Sequence, residues 1–367
     1  MTIRPDIDDY LALFLNDTPM MDVRAPVEAI RGGFPNSVNR PLLDDEQRKL
    51  IGICYKQKGE AEAIKLGLEL ATADIRERRY QAWSEFCDQN PEGYLFCFRG
   101  GLRSRTTQQW LKELGIHYPL VKGGYKAMRR FLLDELDVSL KTLNIISITG
   151  PTGSGKTRLL KMLQHHVDFE GIANHRGSAF GRNPTDTQPS NIDWENSVSI
   201  AMLKHRHNSP EEVLFIEDEG KLIGRVCMAQ NVEQMCKRVP LVMLDESMQT
   251  RVEMIREDYI DKLWPEYLSL YSEQAEQKFS AYVLGALSRI KKRLGGLRFS
   301  QLNQAFELAL KEFYQTKSSD AFSDGIELLL RDYYDPMYAY QRSAREDEII
   351  FRGNRDEVIE WAKQKER

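Results

Sequence analysis

Up to about Leu140, apolar residues fall into short strand-like runs that alternate with amphipathic segments. That alternation predicts an α/β unit. Asp22-Val23-Arg24 is followed by the turn-rich stretch RGGFPNSVNRP, and a short apolar strand ends in Cys97-Phe98-Arg99-Gly100-Gly101-Leu102-Arg103. Beyond that loop Thr107, Trp110, Leu111 and Leu114 recur at helical spacing, and Gly115 is placed to stop the helix. The cysteine is therefore expected at a strand end, beside the start of a helix.

The pattern restarts at Asn144. Ile145, Ile146 and Ile148 form a strand that runs into Gly150-Pro151-Thr152-Gly153-Ser154-Gly155-Lys156-Thr157, and further strands are expected at Val213 to Ile216 and Leu241 to Leu244. From about Met254 the periodicity turns helical, with few glycines apart from Gly285 and the Gly295-Gly296 pair. At 367 residues the chain is too long for one ordinary core. We expect an α/β protein with an N-terminal parallel-sheet domain over 1–138 and a second α/β domain over 139–367, extended by helices from about 255. There is no internal repeat and no low-complexity linker.

Composition narrows the class only a little. Hydrophobic residues at 41% and charged ones at 29% suit a packed protein. A net charge of −4 argues against a globally basic nucleic-acid binder, although local basic patches can still contact phosphate. No apolar run is long enough to span a bilayer, and MTIRPDIDDY has no secretory pattern, so a cytoplasmic protein without a membrane partner is expected. The five cysteines are sparse, odd in number and lack a CxxC, which fits a reducing compartment and gives no zinc or disulfide framework.

Two loops carry candidate chemistry. In the second, Gly150, Gly153, Ser154 and Gly155 let backbone amides converge on phosphate oxygens, Lys156 supplies a point charge, and Thr157 can ligate magnesium. Such a loop recognises a phosphate chain and not a base. Its acidic partner is expected at Glu217 or Asp218, after Val-Leu-Phe-Ile, where Glu219 adds a third acid; Asp245, after Leu-Val-Met-Leu, is the alternative. In the first loop, the amides of Gly100 and Gly101 and the charges of Arg99 and Arg103 make a positive bowl, which predicts a Cys97 thiolate facing a bound anion. Such a thiolate is a nucleophile or a chalcogen carrier.

Asp22-Val23-Arg24 with Glu28, the GFPNSVNRP stretch, CFRGGLRS and Leu120-Val121-Lys122-Gly123-Gly124-Tyr125-Lys126-Ala127 resemble a rhodanese domain. A rhodanese followed by a phosphate-loop domain resembles the bacterial tRNA 2-selenouridine synthase family. The resemblance extends to His175-Arg176-Gly177-Ser178-Ala179-Phe180-Gly181, Gln188-Pro189-Ser190, Ile216 to Glu219 with Ile223-Gly224, and Tyr333-Tyr334-Asp335-Pro336. It implies replacement of sulfur by selenium in the wobble 2-thiouridine of tRNA, with selenophosphate as donor. A geranylated intermediate made from geranyl diphosphate is implied as well, and ATP is doubtful as a ligand. A selenophosphate-producing enzyme is an implied partner. One departure fits: Cys97 to Arg103 spans seven residues where the common sulfurtransferase loop spans six, a spacing like that of phosphatase loops around tetrahedral phosphorus.

Weaker features complete the picture. Arg289, Lys291, Lys292 and Arg293, with Lys278 and Arg298, lie in a stretch free of acids and could track a tRNA backbone. His175, Arg176 and Ser178 could touch the substrate, and Tyr333, Tyr334, Tyr338 and Tyr340 could pack a core or line a pocket. The other readings are an ATP-dependent sulfurtransferase or kinase-rhodanese fusion acting on RNA, and a non-catalytic RNA-binding adaptor.

Overall fold

The computed structural model describes residues 4–178, 180–181, 184, 187–343 and 348–365. They form two compact units, Met1–Lys141 with Ser190–Asn208, and Thr142–Pro189 with Ser209–Arg367.

The first unit is built on three short strands, β1 (Met20–Asp22), β2 (Ser37–Asn39) and β3 (Tyr94–Phe96), in the order β2-β1-β3 and all parallel. β1 is buried along its whole length, as a central parallel strand covered on both faces must be. β3 delivers Cys97 to the carboxyl edge of the sheet, where ligand-binding loops collect in α/β folds. Helix α1 (Leu102–Glu113) starts directly after the loop and buries Ser104, Thr107, Trp110 and Leu111. Leu114 stays exposed, and Gly115 takes a φ of +77° that suits a glycine stop. Helix α2 (Gly124–Thr142) follows the Lys122-Gly123-Gly124 turn.

Helix α3 (Asn191–Asn208) also belongs to this unit, although its sequence lies between two stretches of the second. Its Ile200 and Leu203 share a cluster with Leu13, Phe14, Phe96 and Leu132. Polar contacts fix the same position: Arg129 bonds Glu195 and Asn196, Ser199 donates to the Leu132 carbonyl, and Asn196 donates to the Gly33 carbonyl. Buried residues lie all around this helix, so it carries no polar face for a periodicity to reveal.

The second unit contains β4 (Ile145–Thr149), β5 (His166–Val167), β6 (Leu214–Glu217), a hairpin of β7 (Leu222–Ile223) and β8 (Val226–Cys227), β9 (Leu241–Leu244) and β10 (Ile349–Gly353). Its five-stranded parallel sheet runs β10-β9-β4-β6-β5, which places the strand ending in the phosphate loop at the centre. The helical extension includes α4 (Met248–Arg256), α5 (Ala275–Leu294), α6 (Gly296–Thr316), α7 (Ser323–Leu329), α8 (Asp335–Ser343) and α9 (Arg355–Lys365), a further helix at Leu263–Tyr271, and π-helical turns at Glu257–Asp261 and Leu330–Tyr334. An aromatic cluster around Trp264, Phe279, Phe306, Phe313 and Phe322 packs it. The region expected to be helical from about 255 also contains β10, which adds an edge strand beside β9. That strand is mostly exposed, so no buried alternation marks it. Among the described residues no helix is long and apolar enough to cross a membrane.

Candidate functional site

In the first unit the cysteine loop is shaped by two interlocked glycine pairs. Gly100 and Gly124 have φ values of +63° and +59°. A Cβ on Gly124 would stand 2.3 Å from the Cys97 carbonyl oxygen, and one on Gly100 would stand 2.8 Å from the Gly123 nitrogen. Side chains are excluded at both positions by space as well as by φ. The closeness lets the Tyr125 and Lys126 amides donate to the carbonyls of Cys97 and Phe98, both at 2.9 Å, so the turn before α2 buttresses the loop.

Cys97 itself is 3% exposed and Arg99 is exposed. Arg103 points its guanidinium at Glu28, with contacts of 2.5 and 3.2 Å, and Arg48 reaches the same carboxylate at 3.1 Å. Burial pushes the Glu28 carboxyl up, but the hydrogen bonds from Arg103 and the two arginine charges outweigh it and leave it below its ordinary value. Arg103 is thus held in place by a residue whose role the sequence did not disclose. Asp22 and Arg24 form a buried strut: Arg24 grips both Asp22 oxygens, donates to the Gly32 carbonyl at 2.8 Å and lies 3.8 Å over the Tyr125 ring.

In the second unit the phosphate loop rests on α4. Gly153 and Gly155 both have φ of +82°, and added Cβ atoms would lie 2.6 Å from Ile255 Cδ1 and 2.7 Å from Met254 Sδ. Arg251, 5% exposed, donates from Nε to the Thr152 carbonyl at 2.9 Å and pairs bidentately with Asp335 at 2.5 and 3.0 Å. The loop is thereby joined to the Tyr333-Tyr334-Asp335-Pro336 segment. Lys156 folds back on the Gly150 carbonyl at 3.1 Å. The helix after the loop is short, Lys156–Leu160.

The acids sort themselves by contact. Thr157 Oγ1 donates to Glu170 Oε2 at 3.0 Å, and the Glu170 amide donates to Glu217 Oε2 at 3.2 Å. Asp218 accepts from Thr149 Oγ1 at 2.7 Å, and Tyr338 OH lies 3.1 Å from the same hydroxyl. Glu170 and Glu219 share a side-chain hydrogen bond. Burial first, and then neighbouring carboxylates, push Glu170 and Glu217 up to about 8; burial pushes Glu219 up to about 7 against the pull of Lys156. Asp245 is exposed, lies 4.0 Å from Arg352 and is not among the residues that line the cavity. Glu170 had no sequence signal beyond its place just after β5, a strand of two residues.

The loop opens into a cavity of about 1030 Å³. Glu170 and Glu219 line it, as do His175, Arg176 and Ser178, three residues that the sequence singled out. Arg176 and Ser178 are bonded to the first π-turn: Arg176 donates to the Asp258 carbonyl at 2.7 Å, and Tyr259 OH lies 3.1 Å from both Ser178 Oγ and the Arg176 carbonyl. Ala179 of the same motif lies outside the described residues. Gln188 joins the Ala173 carbonyl to the β7–β8 turn through the Ile223 carbonyl and the Arg225 amide. Of the basic stretch, Arg289, Lys291, Lys292 and Arg293 are exposed on α5, and Arg293 reaches the cavity wall. Tyr333 and Tyr334 are buried, Tyr338 lines the cavity, and Tyr340 is exposed.

Past Thr152, Ser178, Ile255, Tyr259 and Tyr334 the cavity continues into a narrow apolar crevice of about 30 Å³. Among the described residues no group of three or more His, Cys, Asp or Glu is arranged to hold a metal. The first unit thus presents a glycine-shaped loop with a buried thiol, and the second a glycine-rich loop beside carboxylates and apolar rings.

Residues 143–367 match a family model described as the tRNA 2-selenouridine synthase AAA domain. Curated relatives named tRNA 2-selenouridine synthase are similar along nearly their whole length. The Marinobacter nauticus protein is 49% identical over 99% of this chain and 99% of its own, and the Alcanivorax borkumensis protein 47% identical over 97% and 98%. A solved N-terminal domain of an ATP/GTP binding protein from Clostridium difficile 630 covers 35% of this chain and 98% of its own at 30% identity, with a TM-score of 0.32, too low for a shared fold to be read from it.

Proposed function

Since the chain belongs to the tRNA 2-selenouridine synthase family, we propose that its phosphate loop holds geranyl diphosphate and that its cysteine loop, on a rhodanese-like domain, handles selenophosphate. The protein is an enzyme of tRNA modification that introduces selenium at the wobble uridine. The division of labour between the loops is the part proposed.

One observation carries the reading of the phosphate loop: an apolar crevice opens directly off the cradle, through Thr152 of the loop itself. A nucleobase placed there would leave its polar edge without partners, whereas a hydrocarbon tail would not. Lys156 and the loop amides stabilise the departing diphosphate. The thiocarbonyl sulfur forms a bond to the allylic carbon, the carbon–oxygen bond breaks, and the uridine N3 proton is lost. Selenophosphate in the Cys97 loop, where Arg99, Gly100 and Gly101 face the phosphate and Arg103, braced by Glu28, adds its charge, then adds its selenium at C2. The carbon–sulfur bond breaks, geranyl thiol leaves with the selenol proton, and water cleaves the phosphorus–selenium bond, its proton returning to N3.

Magnesium fits the cradle. Thr157 and Glu170 supply hard oxygen donors, Glu217 is buried beside both, and magnesium binds one or two protein oxygens alongside substrate phosphates. Thr157 and Glu170 would hold the ion, which would neutralise charge on the leaving diphosphate.

The basic face of α5 is proposed to follow the tRNA backbone, with Arg293 linking that face to the cavity. The test is mass analysis of tRNA nucleosides after incubation with geranyl diphosphate and selenophosphate, separately and together. Geranylated 2-thiouridine with the first donor alone, and 2-selenouridine only with both, is the outcome expected. Selenouridine made without geranyl diphosphate would overturn the two-step reading.

A further inference from the structure

Phe306 lines the crevice off the phosphate cradle beyond the part shared with the main cavity, and we propose that it forms the floor and sets the length of hydrocarbon tail the diphosphate substrate can carry. This rests on the allylic diphosphate reading of the phosphate loop. The near end of the crevice is shared with the main cavity at Thr152, Ile255, Tyr259 and Tyr334, so a tail attached to a diphosphate on the loop enters there. Phe306 on α6, with Ile326 and Leu329 on α7, lines the part of the crevice that the main cavity does not share. The inner half offers no free polar group to an occupant: Tyr282, the polar side chain that reaches it, donates its hydroxyl to the Phe180 carbonyl.

The two ends of the crevice differ in how firmly they are held. At about 30 Å³ the space holds roughly one water, so a tail must displace part of the wall. Tyr259 and Tyr334 sit on the two π-helical turns, backbone irregularities that recur at functional sites. That side can yield only as a unit, with Tyr259 carrying Ser178 and Arg176 along through its hydroxyl. Phe306 is wedged between aromatic rings, stacked on Phe180 with centroids 6.3 Å apart and edge-on to Phe322 at 6.0 Å. Behind it, Gly325 leaves no slack: a Cβ there would lie 2.9 Å from Phe306 Cε2. The crevice therefore opens near the cradle and stops at Phe306.

Two variants move this floor in opposite directions, which separates a ruler from a loss of stability. Phe306→Ala removes the floor. Gly325→Ala, at a helical glycine without positive φ, pushes the ring into the crevice. The measurement is competition among dimethylallyl, geranyl and farnesyl diphosphates at equal concentration, with prenylated tRNA nucleosides separated by mass.

Phe306→Ala should raise the farnesyl-to-geranyl product ratio about tenfold, and Gly325→Ala should raise the dimethylallyl-to-geranyl ratio by a similar factor. Wild-type ratios from Gly325→Ala, or from both variants, would overturn the assignment of the floor while leaving the loop reading intact. If the wild-type enzyme transferred none of the three tails, the loop reading itself would fail and the ruler with it. Should Phe306→Ala not fold, the Gly325→Ala ratio decides alone.

Discussion

Thr157 Oγ1 donates to Glu170 Oε2 at 3.0 Å, which ties the last residue of the phosphate loop to a carboxyl held far above its ordinary range. Glu170 and Glu217 titrate near 8 and Glu219 near 7, against an ordinary value of 4.5. The folded protein therefore keeps protons that the unfolded chain releases between about pH 4.5 and 8. Stability from this cluster is full below that window and declines as pH rises through it, by at most about 1.4 kcal/mol per pH unit for each group. In metal-free protein, Tm should fall from pH 5 to pH 8, and Glu170→Gln should flatten the fall. A Tm that rises across the window in both proteins would refute this account of the cluster.

The two loops should be separable by single substitutions. Lys156→Ala removes the cation over the diphosphate and should slow geranylation about a hundredfold or more. Cys97→Ser should leave geranylation intact and accumulate geranylated tRNA without selenium. Both are read by nucleoside mass analysis; loss of geranylation in the cysteine variant would sink the division of labour.

Arg251 bonds Thr152 and Asp335 from a nearly fully buried position. Arg251→Ala leaves Asp335 without its partner and frees the loop carbonyl. It should lower unfolding free energy by about 3 kcal/mol in denaturant titrations. Inorganic diphosphate should bind more weakly to the folded variant in calorimetry, because the loop loses a fixed point.

Lys291 and Lys292 are exposed on α5, where charge reversal costs the fold little. The double variant Lys291→Glu, Lys292→Glu should weaken tRNA binding most at low salt and reduce the slope of log affinity against log salt by about two. An unchanged slope would remove this face from the tRNA path.

Much of the architecture could be read from short-range pattern. β3 with its cysteine loop, the Thr107-Trp110-Leu111 face of α1, and the run from Ile145 to Thr157 all appear where periodicity and glycine placement put them. What stayed hidden has no local signature. Glu170 follows a strand of two residues, Arg251 looks like any arginine on an amphipathic helix, and β10 pairs as an exposed edge. The clamp of Arg176 and Ser178 on Tyr259 joins segments about eighty residues apart, beyond the reach of any sequence window. The acids show the same limit: Glu217, Asp218 and Glu219 were legible as a cluster, but only the fold gives each its own partner.

Helix α3, drawn from residues 191–208 into the unit that begins at the N-terminus, has a consequence for how the protein is made. Residues 1–141 emerge from the ribosome without the Ile200 and Leu203 that complete their apolar cluster and without the Glu195 that pairs with Arg129. The amino-terminal body must wait through the synthesis of β4, the phosphate loop and β5 before it can close. A gene fragment that stops after residue 141 would therefore encode an unfinished body, and the halves of this enzyme are not free to be shuffled as independent cassettes.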